Sequence, residues 1–250
     1  MQRTLRIATF NIHKGVTSFN ARLVLHEQRE LIRRLHADIV FLQEVRGAYA
    51  KHQRRFSRWP EESQYEFLAD SIWQDFAYGK NAVYPAGHHG NALLSKYPIV
   101  KWENEDISAH NAEQRGMLHC EIAIPGWDQP LHGICVHLGL FARWRRQQLF
   151  ALRERIETLV PPHAPLIIAG DFNDWRAKAG QALAEGLHLR EVFEQMGGKP
   201  ARSFPAVLPL FRLDRIYVRG FHVQNAQVHG GTAFSQVSDH AALSASLTRL

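Results

Sequence analysis

Residues 164–175, Ala-Pro-Leu-Ile-Ile-Ala-Gly-Asp-Phe-Asn-Asp-Trp, constrain this chain more than any other stretch, because an apolar run stops abruptly at a cluster of oxygen-bearing side chains. Leu166 to Ala169, between Pro165 and Gly170, read as a short buried strand. Asp171 and Asn173 follow two apart on extended backbone, so both side chains point the same way and can reach one metal, water or phosphate beyond the strand's end. A carboxylate there can orient water as a base, and a neutral amide can donate a hydrogen bond to a phosphoryl oxygen without repelling it. The same residues also fit a turn with Asx capping of a helix that starts near Trp175. The rest of the chain must decide between the two.

Other apolar runs stop in the same manner. Residues 5–12 alternate as a strand and lead into Asn11, Ile12, His13, Lys14 and Gly15. Residues 38–45 place Ile39, Val40, Phe41 and Leu42 in a buried strand that finishes in Gln43 and Glu44. An ionised Glu at the mouth of such a strand is costly to desolvate unless a cation or base faces it, which makes Glu44 a metal-ligand candidate. Residues 115–124 and 131–138 read as an antiparallel pair joined through Pro125, Gly126 and Trp127, with His137 at the end of the second. Residues 211–218 make a strand interrupted by Asp214, and Asp239 and His240 precede a closing strand at 242–247.

Helical spacing appears between these runs. Asn20 sits where an N-cap belongs, ahead of Leu23, Val24, Leu31, Ile32 and Leu35 on one helical face. Phe67, Leu68, Ile72 and Phe76 predict a second helix, followed by a loop that ends in His88, His89, Gly90 and Asn91. Being adjacent, the two histidines face opposite ways on extended backbone and form no ligand pair. An amphipathic helix over 143–160 turns Leu149, Leu152, Ile156 and Leu159 inward, and residues 176–196 are helical in part. Residues 46–64 read as irregular and mix Lys51, Arg54, Arg55, Phe56, Arg58 and Trp59. Such interleaving suits phosphates and stacked bases, or a solvated loop with anchoring aromatics. Strands alternating with helices and hairpins argue for mixed sheets with helices outside.

Composition narrows the setting. Without a linker, repeat or low-complexity tract, residues 1–250 are expected to form a single domain, and 45% apolar residues supply its core. Cys120 and Cys135 lie in predicted strands and build no disulfide framework, which suits a reducing compartment. No run of about 18 apolar residues occurs, so no transmembrane segment is expected, and a cytoplasmic monomer is. A formal charge of +6 favours anionic partners: nucleic acid, phosphorylated small molecules or an anionic lipid surface.

Taken in order, Asn-Ile-His-Lys-Gly at 11–15, Leu-Gln-Glu-Val at 42–45, Gly-Asn-Ala-Leu-Leu-Ser at 90–95, Val-His-Leu at 136–138, Gly-Asp-Phe-Asn-Asp at 170–174, Arg-Leu-Asp-Arg-Ile at 212–216 and Ser-Asp-His at 238–240 resemble the endonuclease/exonuclease/phosphatase superfamily. The resemblance implies an α+β fold, a four-layer α/β/β/α sandwich of two mixed β-sheets flanked by helices. It also implies hydrolysis of a phosphate ester by water with Mg²⁺ or Mn²⁺. By motif, Glu44 would be the principal metal ligand, with Asn11 and Asp239 beside it. Asp171 would orient or deprotonate water, and Asn173 would hold a phosphoryl oxygen. His240, held by Asp214, would bind phosphate or move a proton, with His137 among the catalytic residues and Asn91 and Arg115 on the substrate. His137 stands where some branches carry Tyr, so the chain is closer to the pancreatic-deoxyribonuclease and sphingomyelinase branches. His13 replaces the acidic residue of the abasic-site group. The expected activity is a phosphodiesterase acting on nucleic acid or phospholipid. A phosphomonoesterase of phosphorylated small molecules and a non-catalytic nucleic-acid-binding module are the alternatives. Loops 46–64, 78–90, 108–115 and 197–211 are the expected determinants of substrate.

Overall fold

The computed structural model describes residues 4–17, 21–49, 55–85, 87–110, 113–175 and 178–250. Twelve strands among them form two six-stranded sheets, ordered β11-β12-β1-β2-β4-β3 and β5-β6-β7-β8-β10-β9. The first sheet holds β1 (Thr4–Asn11), β2 (Ile39–Tyr49), β3 (Asp75–Tyr84), β4 (Gly87–Ser95), β11 (Phe221–His229) and β12 (Ala242–Arg249). The second holds β5 (Ile99–Asp106), β6 (Gly116–Ile122), β7 (Leu131–His137), β8 (Leu166–Asp171), β9 (Arg190–Glu191) and β10 (Asp214–Arg219). Both are mixed: β1–β2 and β7–β8 are parallel, and the other pairs are antiparallel.

Strand periodicity explains the layers. Along β8, Ile167 and Ala169 point into the core between the sheets, whereas Leu166 and Ile168 point out under the helices. Along β1, Ile7 faces the same core, and Ala8 and Phe10 face outward. A strand that buries both faces reads as the continuous apolar run seen in the sequence. The outer face of the first sheet packs against α1 (Leu25–Arg34), α2 (Gln64–Ala69) and α6 (Thr232–Ser235) through Leu25, Ile32, Phe67, Leu68 and Phe234. The outer face of the second packs against α3 (Ala142–Leu159) and α4 (Lys178–Gly186) through Leu149, Leu152, Ile156 and Leu183. A four-residue helix, α5 (Val192–Gln195), follows β9 directly. The result is the expected four-layer sandwich.

Several local expectations fail for identifiable reasons. The helix predicted through Phe76 ends at Ala69, because Asp70 takes a φ of 44° and breaks the helical path. Phe76 instead lies in β3, and the predicted loop 78–90 is mostly the β3–β4 hairpin. The strand predicted to finish at Glu44 continues to Tyr49 through a bulge, so residues 46–49 belong to β2, with Arg46 and Tyr49 paired to β4. Asp214 begins its strand instead of interrupting it. Leu159 is exposed on α3 rather than part of its inner stripe. The N-cap expected at Asn20, and Lys51 and Arg54 of the mixed stretch, lie outside the described residues, and α1 starts after Val24. Cys120 and Cys135 are buried free thiols on adjacent strands. Among the described residues no helix is long and apolar enough to cross a membrane.

Candidate active site

Three neighbouring strands of the second sheet set the framework. Asp171 is in register with His137 on parallel β7 and with Asp214 on antiparallel β10. Register therefore puts three polar side chains in one row at one rim. Gly170, with φ 148°, allows β8 to run against β7 here, since a Cβ would sit 1.9 Å from the Val136 carbonyl oxygen.

Asp171 is the hub of this row. Its Oδ2 accepts from Asn11 Nδ2 at 3.3 Å and faces His137 Nε2 at 3.5 Å and His240 Nε2 at 3.7 Å. Asn11 ends β1, so this contact joins the rims of the two sheets. Oδ1 accepts from the Asn173 backbone N–H at 2.9 Å. The Asx turn and the chemical cluster read from the sequence thus coexist, one on each carboxylate oxygen. Asn173 Nδ2 donates to the Leu138 carbonyl at 2.9 Å, holding the loops after β7 and β8 together.

His240 Nδ1 lies 2.8 Å from Asp214 Oδ2, and both residues are buried. Two serines set this pair. Ser203 Oγ accepts from the Asp214 N–H, and Ser238 Oγ donates to the Asn11 carbonyl while accepting from the His240 N–H. Ser238 stood inside a recognised motif, but Ser203 lies in an irregular segment with no sequence signal.

Glu44 sits on the bulge between Leu42 and Val45, with φ 58°, which turns its carboxylate out of the ladder towards the rim. Its Oε2 lies 2.9 Å from Lys14 Nζ, and Asp239 Oδ1 lies 3.2 Å from His13 Nδ1. One short turn after β1 thus places a Lys and a His nitrogen each against an acidic group. The sequence drew attention to His13, but Lys14 went unassigned; its position three residues beyond the strand end was the available signal.

The remaining expected residues lie close by with other commitments. Asn91, in the middle of β4 and fully buried, donates to the Gly116 and Cys135 carbonyls at 2.9 and 3.2 Å, tying the sheets together. Its Oδ1 makes no hydrogen bond among the described residues. Arg115 pairs with Glu113 at 2.9 Å, and its charge is felt at His137.

Electrostatics divide these groups into distinct protonation states. Burial pushes Asp171 up to about 6, with the His240 charge opposing and Asp214 assisting. Burial works against a charged His240, but Asp214 and then Asp171 carry it up to about 10. His137 is held well below 6.5 by burial and by Arg115. Burial would raise Glu44, yet Lys14 and His137 hold it well below the usual carboxylate range. The charge of Glu44 is felt at Asp171 and Asp239 alike, so the three carboxylates lie within one another's electrostatic reach.

The endonuclease/exonuclease/phosphatase family profile matches residues 8–240, which span every strand end just described. The chain belongs to this family. Members of the superfamily are phosphate-ester hydrolases and generally depend on divalent metals. The uncharacterized protein YbhP of Escherichia coli K12 is 49% identical over 98% of this chain and 97% of its own length. Among solved structures, an endonuclease/exonuclease/phosphatase protein from Beutenbergia cavernae has a TM-score of 0.79 at 20% identity, covering 99% of this chain and 72% of that one. The catalytic domain of human Nocturnin, solved with a bound sulfate, has a TM-score of 0.77 at 17% identity, covering 100% of this chain and 96% of that one. At such identities these two structures bear on the fold alone.

A divalent cation fits the donor set at this rim. Glu44 Oε2 and Asp239 Oδ1 are buried atoms that make no well-formed hydrogen bond; Glu44 faces Lys14 Nζ and Asp239 faces His13 Nδ1 instead. Mg²⁺ characteristically takes one or two carboxylates and keeps several waters. A separate trio, Asp171, Asp214 and His240, brings its ligand atoms within 4.8 Å of one another, the one such grouping among the described residues. There His240 Nδ1 is already committed to Asp214.

Proposed function

We propose that this protein is a divalent-metal-dependent phosphodiesterase that hydrolyses a P–O bond with activated water. The observation that carries the reading is Asp171, a buried carboxylate facing the Nε2 atoms of His137 and His240, the latter anchored through Nδ1 to Asp214.

In this reading Asp171 orients the attacking water and takes its proton. Its elevated affinity for protons suits a base working near neutrality, because a base with a value near ambient pH combines availability with driving force. The water oxygen bonds to phosphorus as the bond to the leaving oxygen breaks, and that oxygen departs as an alkoxide that takes a proton from solvent, while Asp171 returns the proton it took to solvent. Negative charge grows on the phosphoryl oxygens along the way. His240, charged because Asp214 holds it, stabilises that growth, as does an N–H of Asn173. His137 stays neutral and faces Asp171 Oδ2 with its Nε2 at 3.5 Å. A divalent cation held by Glu44, Asp239 and Asn11 would supply Lewis-acid polarisation of a phosphoryl oxygen.

Charge supports a diester over a monoester. Four carboxylates, Glu44, Asp171, Asp214 and Asp239, crowd this rim, and a diester brings one negative charge where an ionised monoester brings up to two. The test compares bis(p-nitrophenyl) phosphate with p-nitrophenyl phosphate, using Mg²⁺ or Mn²⁺, chelator and Asp171→Ala. The expected outcome is metal-dependent diester turnover that Asp171→Ala abolishes. Equal turnover in chelator removes the metal assignment, and faster monoester turnover replaces the diester reading.

A further inference from the structure

The loops that carry the reaction centre end in hydrocarbon. Leu140 and Phe141, three and four residues beyond His137, are 54% and 62% exposed. Trp175, four beyond Asp171, is 47% exposed, and Phe211, three before Asp214, packs against it with ring centroids 4.8 Å apart. Val207, Leu208 and Leu210 are 79%, 64% and 51% exposed on the segment that leads to Phe211. That segment is pinned over the site, because the Ala206 N–H donates to the Asp239 carbonyl at 2.7 Å. Since His137, Asp171 and Asp214 share one register, all three loops leave the sandwich at the same rim.

Single exposed apolar residues need no explanation, but large aliphatic and aromatic side chains gathered on three loops at the rim that carries Asp171 do. Nucleic acid is the poorer match. Bases stack on aromatic faces, which Phe141, Trp175 and Phe211 offer, but they would leave the aliphatic Leu140, Val207, Leu208 and Leu210 uncovered. An acyl-chain boundary takes aliphatic and aromatic side chains together, with Trp favoured at the headgroup level. Charge agrees with a bilayer surface. Arg143 and Arg146, exposed on the first turns of α3 directly after Phe141, and Arg202, exposed before Val207, flank the patch in a chain of net charge +6. Each cation near an anionic leaflet adds about 1 kcal/mol of attraction.

We infer that this rim docks on the surface of an anionic phospholipid bilayer, and that the phosphodiester brought to Asp171 belongs to a lipid headgroup in that surface. The inference rests on the phosphodiesterase reading and names its substrate class. Dipping the three loops into the headgroup region would bring the polar cleft level with lipid phosphates without lifting a lipid out of the bilayer.

The test uses the full chain with two vesicle compositions, phosphatidylcholine alone and phosphatidylcholine mixed with phosphatidylglycerol. Flotation measures binding by wild type and by Phe141→Asp/Leu208→Asp, whose exposed side chains lie outside the reaction centre. Turnover of bis(p-nitrophenyl) phosphate is followed in parallel. Wild type is expected to float with the anionic vesicles, and the double variant to bind at least about tenfold more weakly, since each substitution removes several buried CH₂ groups. Turnover of the soluble diester should be the same in both proteins. No flotation of wild type with either composition, or equal flotation of the variant, overturns the inference. Binding of a single-stranded oligonucleotide that the double substitution abolishes, with vesicles ignored, overturns it in favour of nucleic acid. Loss of soluble-diester turnover in wild type itself would strike the phosphodiesterase reading instead, so the two failures are distinguishable.

Discussion

Replacing Asp214 with Asn tests whether the charge on His240 is the working part of the site. The side chains are nearly isosteric, Asp214 and His240 are both buried, and the Oδ2–Nδ1 separation is 2.8 Å. In wild type, burial lowers His240 while Asp214 and Asp171 raise it, and the balance stands at about 10 against an ordinary 6.5. That difference corresponds to about 5 kcal/mol in favour of the imidazolium, a net figure in which Asp214 and Asp171 together also offset the opposing cost of burial. Without the Asp214 charge, burial regains the upper hand and His240 should be neutral at pH 7. The folded value lies above the ordinary one, so the stabilisation is complete below pH 6.5 and disappears as pH rises through about 10. Asp214→Asn should therefore cost most stability below pH 6.5 and least above pH 10. Turnover should fall by about 10³- to 10⁴-fold, the scale on which a histidine deprived of its orienting carboxylate loses activity. The assay combines NMR titration of His240 with turnover of bis(p-nitrophenyl) phosphate and denaturant melts across pH. A His240 in the variant that still titrates above pH 9, or turnover within about tenfold of wild type, refutes the reasoning.

Three further outcomes follow from neighbouring groups. Glu44→Gln should weaken Mn²⁺ binding in calorimetry by about 100-fold or more, and unchanged affinity would remove Glu44 from the metal ligands. Lys14→Met leaves Glu44 with no partner at 2.9 Å, so the chelated variant should lose about 2 kcal/mol of stability and regain more on adding Mn²⁺ than wild type does; coincident melts in chelator would contradict this. Burial pushes Glu191 up to about 7, so its contribution to stability is complete below pH 4.5 and lost as pH rises through about 7. Glu191→Gln keeps an acceptor for the Phe193 and Glu194 N–H groups and should be about 3 kcal/mol more stable than wild type at pH 8, read from urea melts; a variant that parallels wild type across that range would count against it.

Most of the site could be read before the fold because buried strands announce their own ends. β8 buries both faces and is a continuous apolar run that ends at Asp171, while β1 and β7 are buried towards their C-terminal ends, where Phe10 and Val136 lead directly into Asn11 and His137 at the rim. The β3–β4 hairpin was hidden for the opposite reason. β3 is an edge strand with only partial burial, and Phe67, Leu68, Ile72 and Phe76 mimic helical spacing across the break at Asp70. β11 alternates from Phe221 to Val223, after which a bulge before Asn225 resets the register and its short polar remainder carries no period. The ion pairs of Lys14 and His13 depend on a left-handed turn, which no pattern of apolar residues encodes.

That turn belongs to a wider arrangement. His13, Lys14, Glu44 and Asn173 have φ of 44°, 62°, 58° and 48°, four of the seven non-glycine residues with positive φ among the described residues. Asn tolerates this region, but Glu and Lys do so only at a cost of order 1 kcal/mol each. Such conformations persist when the surroundings leave no alternative, and here the surroundings are two sheets closed on a common core. The bulge at Glu44 and the turn at Lys14 flank one parallel strand pair, β1–β2, so the strain is concentrated where Glu44 and Asp239 face Lys14 and His13. Relaxing Glu44 to ordinary β backbone would restore the alternation of β2 and swing its carboxylate out of the rim. The local rule that fails at this residue is therefore the one whose success would dismantle the site.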